Sequence, residues 1–256
     1  MTGVGAVIGE PSVKAIGVIP ARFESVRLPG KVLADIAGKP MLLRVFEAAR
    51  ACRDLDQVLI ASDSAQVLAY CAAAGLPALA TGPHPSGSDR VHEVLTRTDG
   101  AIYVNIQGDE PTLRPEQIAL LVQCLRDGEA EVATLKVRIS AEQARSPDVV
   151  KVVTDWAGRA LYFSRHPIPY DRDGEGTAVW FKHIGIYAYR RRALETFHSL
   201  PPSPLERIEK LEQLRLLEHG MTIRVIETPD DTIGVDTLED LERVRAYFRE
   251  EGGAAV

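Results

Sequence analysis

The 256-residue chain is 45% hydrophobic, enough to bury the core of one large α/β domain or a domain with a small appendage, which excludes disorder beyond its ends. Its formal charge of −6 argues against non-specific nucleic-acid binding, which needs a basic surface. The odd cysteine count (Cys52, Cys71, Cys124), without metal-type spacing, and the lack of a membrane-length apolar run point to a reduced cytoplasmic protein without membrane insertion. Residues 1–13 read as a loose tail, and no charged n-region precedes Lys14.

Residues 16–19, Ile-Gly-Val-Ile, have the length and β-branching of a buried strand. The strand breaks at Pro20 into a loop carrying Arg22, Arg27 and Lys31, with Pro29-Gly30 turning the chain before the lysine. Three cations after a buried strand, in an otherwise acidic protein, suit a polyanion such as a triphosphate. A Walker loop is excluded, because Ser25 and Val32 stand where it needs glycine and a hydroxyl residue. Gly3, Gly5 and Gly9 miss the dinucleotide spacing and precede the strand, which argues against an NAD-linked oxidoreductase.

Gly38-Lys39-Pro40 is expected to open a helix with Pro in its first turn, carrying Leu42, Val45, Phe46 and Ala49 inward. Residues 58–61 follow as a strand, and Asp63 with Gln66 reads as a capping box. A third strand at 76–80 leads into Thr81-Gly-Pro-His-Pro-Ser-Gly-Ser-Asp-Arg90. Its small and hydroxyl residues could read a nucleobase or ribose, or form an ordinary loop with Ser88 as a helix cap. The strongest strand, 101–107, ends in Gly108-Asp109-Glu110-Pro111. Ligands of open α/β sheets gather at such strand ends, so Asp109 is placed to hold magnesium as a hard oxygen ligand. The helix after Pro115 begins too far on for Asp109 to cap it.

The alternation of strands and helices up to about residue 140 implies a mainly parallel sheet. From residue 149 the texture changes: strands at 151–154 and 160–164 read as a hairpin, with a glycine-rich gap at 174–176 and a further strand at 181–189. We read residues 150–200 as an antiparallel insertion, a lid or a dimer surface, with exposed Trp180 and Phe181 favouring the dimer. Ser203-Pro-Leu-Glu206 is a capping box for a helix carrying Leu205, Ile208, Leu211 and Leu214 and ending at His219-Gly220. A last strand, 222–226, leads to Asp236 and a helix capped by Thr237. A parallel sheet could bring Asp109 and Asp236 to one rim, where they would hold magnesium against phosphates gripped by Arg22 and Lys31.

Ile-Pro-Ala-Arg-Phe-Glu-Ser-Val-Arg-Leu-Pro-Gly-Lys at 19–31, His-Pro-Ser-Gly-Ser-Asp-Arg at 84–90, Val-Asn-Ile-Gln-Gly-Asp-Glu-Pro at 104–111 and Gly-Val-Asp-Thr at 234–237 together resemble the bacterial 3-deoxy-manno-octulosonate (Kdo) cytidylyltransferases. So do Leu-Tyr-Phe-Ser-Arg at 161–165, Lys-His-Ile-Gly-Ile-Tyr at 182–187, and the stretches at 203–206 and 211–215. The likeness is collinear from 15 to 247, departing at Val26 and Ser88, where threonines are expected, and at Phe23, where tyrosine is usual.

The resemblance implies a Rossmann-like nucleotidyltransferase core at 14–250, a homodimer using the antiparallel insertion, and transfer of CMP from CTP to Kdo for lipopolysaccharide synthesis. It implies that Ala21, Arg22, Arg27, Lys31, Ser86, Gly87, Ser88, Arg90 and Gln107 bind nucleotide. Arg165, His183, Tyr187, Glu212 and Gln213, with Gln107, would bind the sugar acid; Asp109 and Asp236 would hold Mg2+; and Arg22, Lys31, Asp109 and Asp236 would carry catalysis. Rival expectations keep the chemistry with an 8-amino Kdo analogue or a sialic acid, or make the chain a non-catalytic nucleotide-binding regulator.

Overall fold

The computed structural model describes residues 13–253 except 26, 129 and 175. The expected tail therefore lies, apart from Val13, outside the described residues, as do Val26 and the middle of the 174–176 gap. Strand β1 (Ala15–Pro20) is buried on both faces, as expected of a central parallel strand covered by crossover helices. The loop after it closes with Gly30 at φ +69° and a single 3-10 turn, Lys31–Leu33. Two short strands, β2 (Asp35–Ile36) and β3 (Lys39–Pro40), then form a hairpin. Its two turn residues, Ala37 and Gly38, both have positive φ, as a tight two-residue hairpin loop requires. Pro40 therefore ends a strand and stands at the N-cap of α1 (Met41–Ala51), one residue before the expected place. The helix turns Leu42, Val45, Phe46 and Ala49 inward, as its periodicity predicts.

Next come β4 (Gln57–Ser62), α2 (Ala65–Ala73), β5 (Ala78–Ala80) and α3 (Gly87–Thr96). Ser64, rather than Asp63, caps α2 by accepting from the Val67 amide at 3.4 Å; Asp63 turns away to Arg90, at 3.2 Å. Likewise Ser86, not Ser88, caps α3. Strand β6 (Ile102–Asn105) is shorter than expected, because the chain leaves the sheet at Ile106. Helix α4 (Pro115–Asp127) follows, with Pro at its start, then β7 (Val132–Ile139), which the sequence reading did not single out, and α5 (Ala141–Arg145).

Strands β8 (Lys151–Thr154) and β9 (Ala160–Ser164) form the expected hairpin. The long strand β10 (Trp180–Arg190) corrects the reading of residues 150–200 as one insertion. It lies inside the main sheet, antiparallel to β6 on one side and β7 on the other. It does pair with the hairpin, at Lys182 opposite Lys151 of β8, but its main-sheet partners β6 and β7 are distant in sequence and left no local signal. Trp180 and Phe181 are half-buried, with Phe181 beneath the Lys136 ammonium at 4.1 Å. The fully exposed aromatics are Trp156 and Tyr170.

After α6 (Arg191–Ser199), the helix expected over 203–219 is two helices: α7 (Pro204–Glu209) and α8 (Gln213–Glu218). Lys210, at φ +56°, adopts the left-handed conformation that ends α7. This break leaves Ile208 exposed, while Leu211, Leu214 and Leu216 pack inward. Strand β11 (Ile223–Glu227) and helix α9 (Leu238–Gly253) complete the order.

The main sheet runs β11-β7-β10-β6-β1-β4-β5, with β8 and β9 off this path. Every pairing on the path is parallel except those of β10, so the expected α/β class with a mainly parallel sheet and a small antiparallel part holds. One apolar cluster packs α1 and α4 on one face and another packs α3 and α6 on the other. A third, around Ile36, Met41, Val235, Leu241 and Val244, joins the small hairpin to α9.

Candidate active site

Strand β1 connects to β4 through α1 on one face, whereas α3 returns to β6 across the other. The carboxyl ends of β1 and β6 therefore flank the crevice where such sheets collect ligands. A cavity of about 400 Å³ opens there. Its lining includes Ala21, Arg22, Arg27, Lys31, Ser86, Gly87, Arg90, Gln107, Asp109 and Asp236, so the structure brings most of the expected nucleotide and metal residues into one cleft. A Cβ on Gly108 would stand 2.8 Å from the Pro20 carbonyl, so glycine lets this loop close onto the end of β1.

Lys31 is the centre of the cleft. Its ammonium donates to Asp109 Oδ2 at 2.7 Å, the Val235 carbonyl at 2.7 Å and Asp236 Oδ1 at 2.9 Å. Burial lowers the lysine pKa, but Asp109 and Asp236 outweigh it and hold the group above its ordinary value. Arg27 reaches the other oxygen of Asp236, at 2.9 Å. The expectation that two sequence-distant carboxylates share one rim is met. The backbone reinforces it, since the Val235 amide donates to the Asp109 carbonyl at 2.8 Å. Arg22 is exposed and makes no ion pair among the described residues, which leaves its guanidinium available to an incoming anion.

Arg90, expected beside the nucleotide, lines the cleft from a buried position. It is only 1% exposed, and it donates to Thr81 Oγ1 at 2.5 Å and the Gly82 carbonyl at 3.3 Å while pairing with Asp63. It thus braces the 81–90 loop from within.

Apart from Gln107, the residues expected for the sugar acid do not line this cavity. His183 is buried, and its Nε2 lies 3.0 Å from Thr134 Oγ1. That hydroxyl also donates to the Ile186 carbonyl at 2.8 Å, so Nε2 is the donor toward it. Burial, with the nearby Lys182 charge, depresses the His183 pKa to about 3, keeping the ring neutral. Tyr187 packs beside it with ring centroids 5.3 Å apart. Among the described residues the Tyr187 hydroxyl and Gln213 Nε2 are buried polar atoms with no hydrogen bond. Glu212 links this group to the nucleotide loop by accepting from Ser88 Oγ at 3.0 Å. Burial raises the Glu212 pKa against the opposing bonds from Ser86 and Ser88. Arg165, the last of the expected group, is held by the Glu209 and Pro147 carbonyls.

The sequence reading missed two supporting groups. Thr134 sits on β7, whose pairing with β10 is invisible locally. Glu110 follows Asp109 directly, and its Oε2 is buried without a hydrogen bond among the described residues. Burial and the neighbouring Asp109 charge push this carboxyl up to about 7. Its place in the Gly-Asp-Glu-Pro run was the available signal.

Comparison with known proteins bears on this geometry. The cytidylyltransferase family profile matches residues 16–223. A 3-deoxy-manno-octulosonate cytidylyltransferase of Koribacter versatilis is 51% identical over 239 residues, covering 93% of this chain and 91% of its own length. One from Acidobacterium capsulatum is 52% identical over 240 residues, covering 93% and 98%. The chain belongs to the 3-deoxy-manno-octulosonate cytidylyltransferase family. A solved CMP:2-keto-3-deoxy-manno-octonic acid synthetase complexed with CTP superposes on it with a TM-score of 0.90 at 47% identity, covering 93% of this chain and 99% of that one. The resemblance seen in the motifs thus extends through the whole fold of this cytidylyltransferase.

Proposed function

We propose that this cytidylyltransferase moves CMP from CTP to the anomeric hydroxyl of Kdo, releasing pyrophosphate and activating the sugar for lipopolysaccharide assembly. The observation that carries this reading is the meeting of Asp109 and Asp236 on Lys31 at the floor of the cleft. The named relatives and the CTP-bound neighbour support the choice of nucleotide and sugar. We take residues 14–250 as one nucleotidyltransferase domain, cytoplasmic and homodimeric; among the described residues no helix is long and apolar enough to cross a membrane.

In this reading Arg22, Arg27 and Lys31 hold the triphosphate, and Ala21 and the Ser86-Gly87-Ser88 start of α3 receive the nucleoside. Arg90 keeps that loop in shape. Charge grows on the phosphoryl oxygens and the leaving pyrophosphate during in-line attack, so fixed cations there stabilise the transition state more than the ground state. Gln107, at the end of β6, separates the nucleotide cleft from the group formed by His183, Tyr187, Glu212 and Gln213. The unpartnered Tyr187 hydroxyl and Gln213 Nε2 suit a polyhydroxylated ligand.

Asp109 and Asp236 fit Mg2+: they are hard oxygen donors already converging on one cation. Among the described residues no cluster of three or more His, Cys, Asp or Glu forms a complete ligand set, and magnesium ordinarily needs only one or two carboxylates beside substrate phosphates. When bound, it would neutralise phosphate charge and lower the pKa of the attacking hydroxyl. Lys31 would then turn from the carboxylates to the phosphates.

Pyrophosphate release tests the reading, with CTP, Mg2+ and Kdo run beside UTP, an 8-amino Kdo analogue and a sialic acid. Release with CTP and Kdo alone is expected. Release only with another sugar would overturn the Kdo assignment, and CTP binding without release from any pair would favour a regulator.

A further inference from the structure

Lys151 is wholly buried on β8, yet it forms no ion pair among the described residues. Its ammonium instead donates to three backbone carbonyls: Ser146 at 2.9 Å, Val149 at 2.6 Å and Arg165 at 2.5 Å. A lysine head has three donors and no acceptor, so this arrangement satisfies it completely. Burial pulls its pKa down, and the nearby Glu209 charge opposes that.

The three carbonyls share a role. Ser146 and Val149 bracket Pro147, whose carbonyl accepts from Arg165 Nη1 at 3.0 Å. The third belongs to Arg165 itself. The arginine is then closed from the other side by Glu209, whose carbonyl accepts from Nε at 2.8 Å and whose carboxylate accepts from the Arg165 amide at 2.9 Å. Backbone and guanidinium are thereby held at both ends. Nη2 makes no hydrogen bond among the described residues, leaving that end of the fork for an acidic ligand.

We propose that Lys151 is a positioning residue for the sugar acid: its buried ammonium ties the 146–149 turn to the Arg165 backbone and so aims the guanidinium that meets the ligand carboxylate. The inference rests on the sugar-acid reading of Arg165 and adds to it a residue that touches no substrate. Neutral side chains cannot take its place. Methionine leaves all three carbonyls without their donor, and glutamine, with two donors in one plane, serves two at most.

The test is steady-state kinetics with Kdo and CTP varied separately in Lys151→Met, Lys151→Gln, Arg165→Ala and the Lys151→Met/Arg165→Ala pair, each checked for fold by circular dichroism. Misplacing a binding group is expected to raise the Kdo KM about 10- to 100-fold in Lys151→Met. The CTP KM should stay within about twofold, and the lysine change should add nothing once Arg165 is absent. Lys151→Gln carries the test where the methionine variant does not fold. A raised Kdo KM in Arg165→Ala beside an unchanged one in the lysine variants would overturn the inference alone. An unchanged Kdo KM in Arg165→Ala would overturn the sugar-site reading and the inference with it. Equal rises in both KM values, additive effects in the pair, or loss of fold in both lysine variants would make Lys151 a structural residue only.

Discussion

Replacing Lys31 with Met removes the one ammonium that Asp109 and Asp236 share. The Lys31 side chain is 13% exposed, against 36% for Asp109 and 52% for Asp236. The better-shielded bond to Asp109, at 2.7 Å, belongs in the range of about 1.5–3 kcal/mol for hydrogen bonds to charged groups. The bond to the half-exposed Asp236 is screened toward the surface range of about 0–1 kcal/mol. The variant is therefore expected to lose about 2–3 kcal/mol in the nucleotide-free protein, as Asp109 is left without its cation and Asp236 keeps only the exposed Arg27. Magnesium alone should then act differently on the two proteins. In the wild type it must displace the ammonium, whereas in the variant it meets carboxylates that no longer share a lysine and should restore stability, by about 2.7 kcal/mol at a hundredfold excess over its Kd. Urea unfolding with and without MgCl2 measures both quantities. Turnover should fall about 10²- to 10³-fold, because a preorganised cation at the phosphates is gone. An unchanged unfolding midpoint together with no added response to magnesium would refute the idea that these three side chains form one cation site.

Two further outcomes follow from buried groups. Arg90→Met strips Asp63 of its partner and Thr81 and Gly82 of a donor, so it should cost about 3 kcal/mol in urea unfolding; a loss under about 0.5 kcal/mol, the range of ordinary surface changes, would mean the loop does not depend on this brace. His183 titrates near 3 in the folded protein and near ~6.5 when unfolded. The unfolded state therefore binds the extra proton between these values, and stability should fall as pH drops below ~6.5, by up to about 1.4 kcal/mol per pH unit from this one group. Comparing wild type with His183→Asn from pH 7.5 to 5 should show that slope lost in the variant; parallel curves would contradict a buried, neutral histidine.

The legible parts of the chain were those with local causes. Residues 15–20 are apolar on both faces and must be buried, Pro29-Gly30 must turn, and the helix at 41–51 follows from its own period. The grouping of Arg22, Arg27 and Lys31 could be read because these cations lie within ten residues of each other, after a strand that orients them. Asp109 was legible from its place at the end of a strand. Caps were less so: Asp63 and Ser88 each had a rival one or two residues away, and contacts with Arg90 and Glu212 decided between them.

What the sequence determined by itself was the α/β class, the family and the charged residue types that the cleft gathers. Their meeting was a tertiary decision. Asp109 and Asp236 converge because the loop before α9 hydrogen-bonds back to the end of β6. Strand β10 belongs to the sheet because β6 and β7, far away in the chain, offer its edges their hydrogen bonds. Lys151, in sequence one more polar residue at a strand start, becomes a buried hub only when the 146–149 turn and Arg165 bring their carbonyls to it. Period and turn chemistry act over a few residues and are written in the chain; strand pairing and buried charge depend on partners that only the folded backbone supplies.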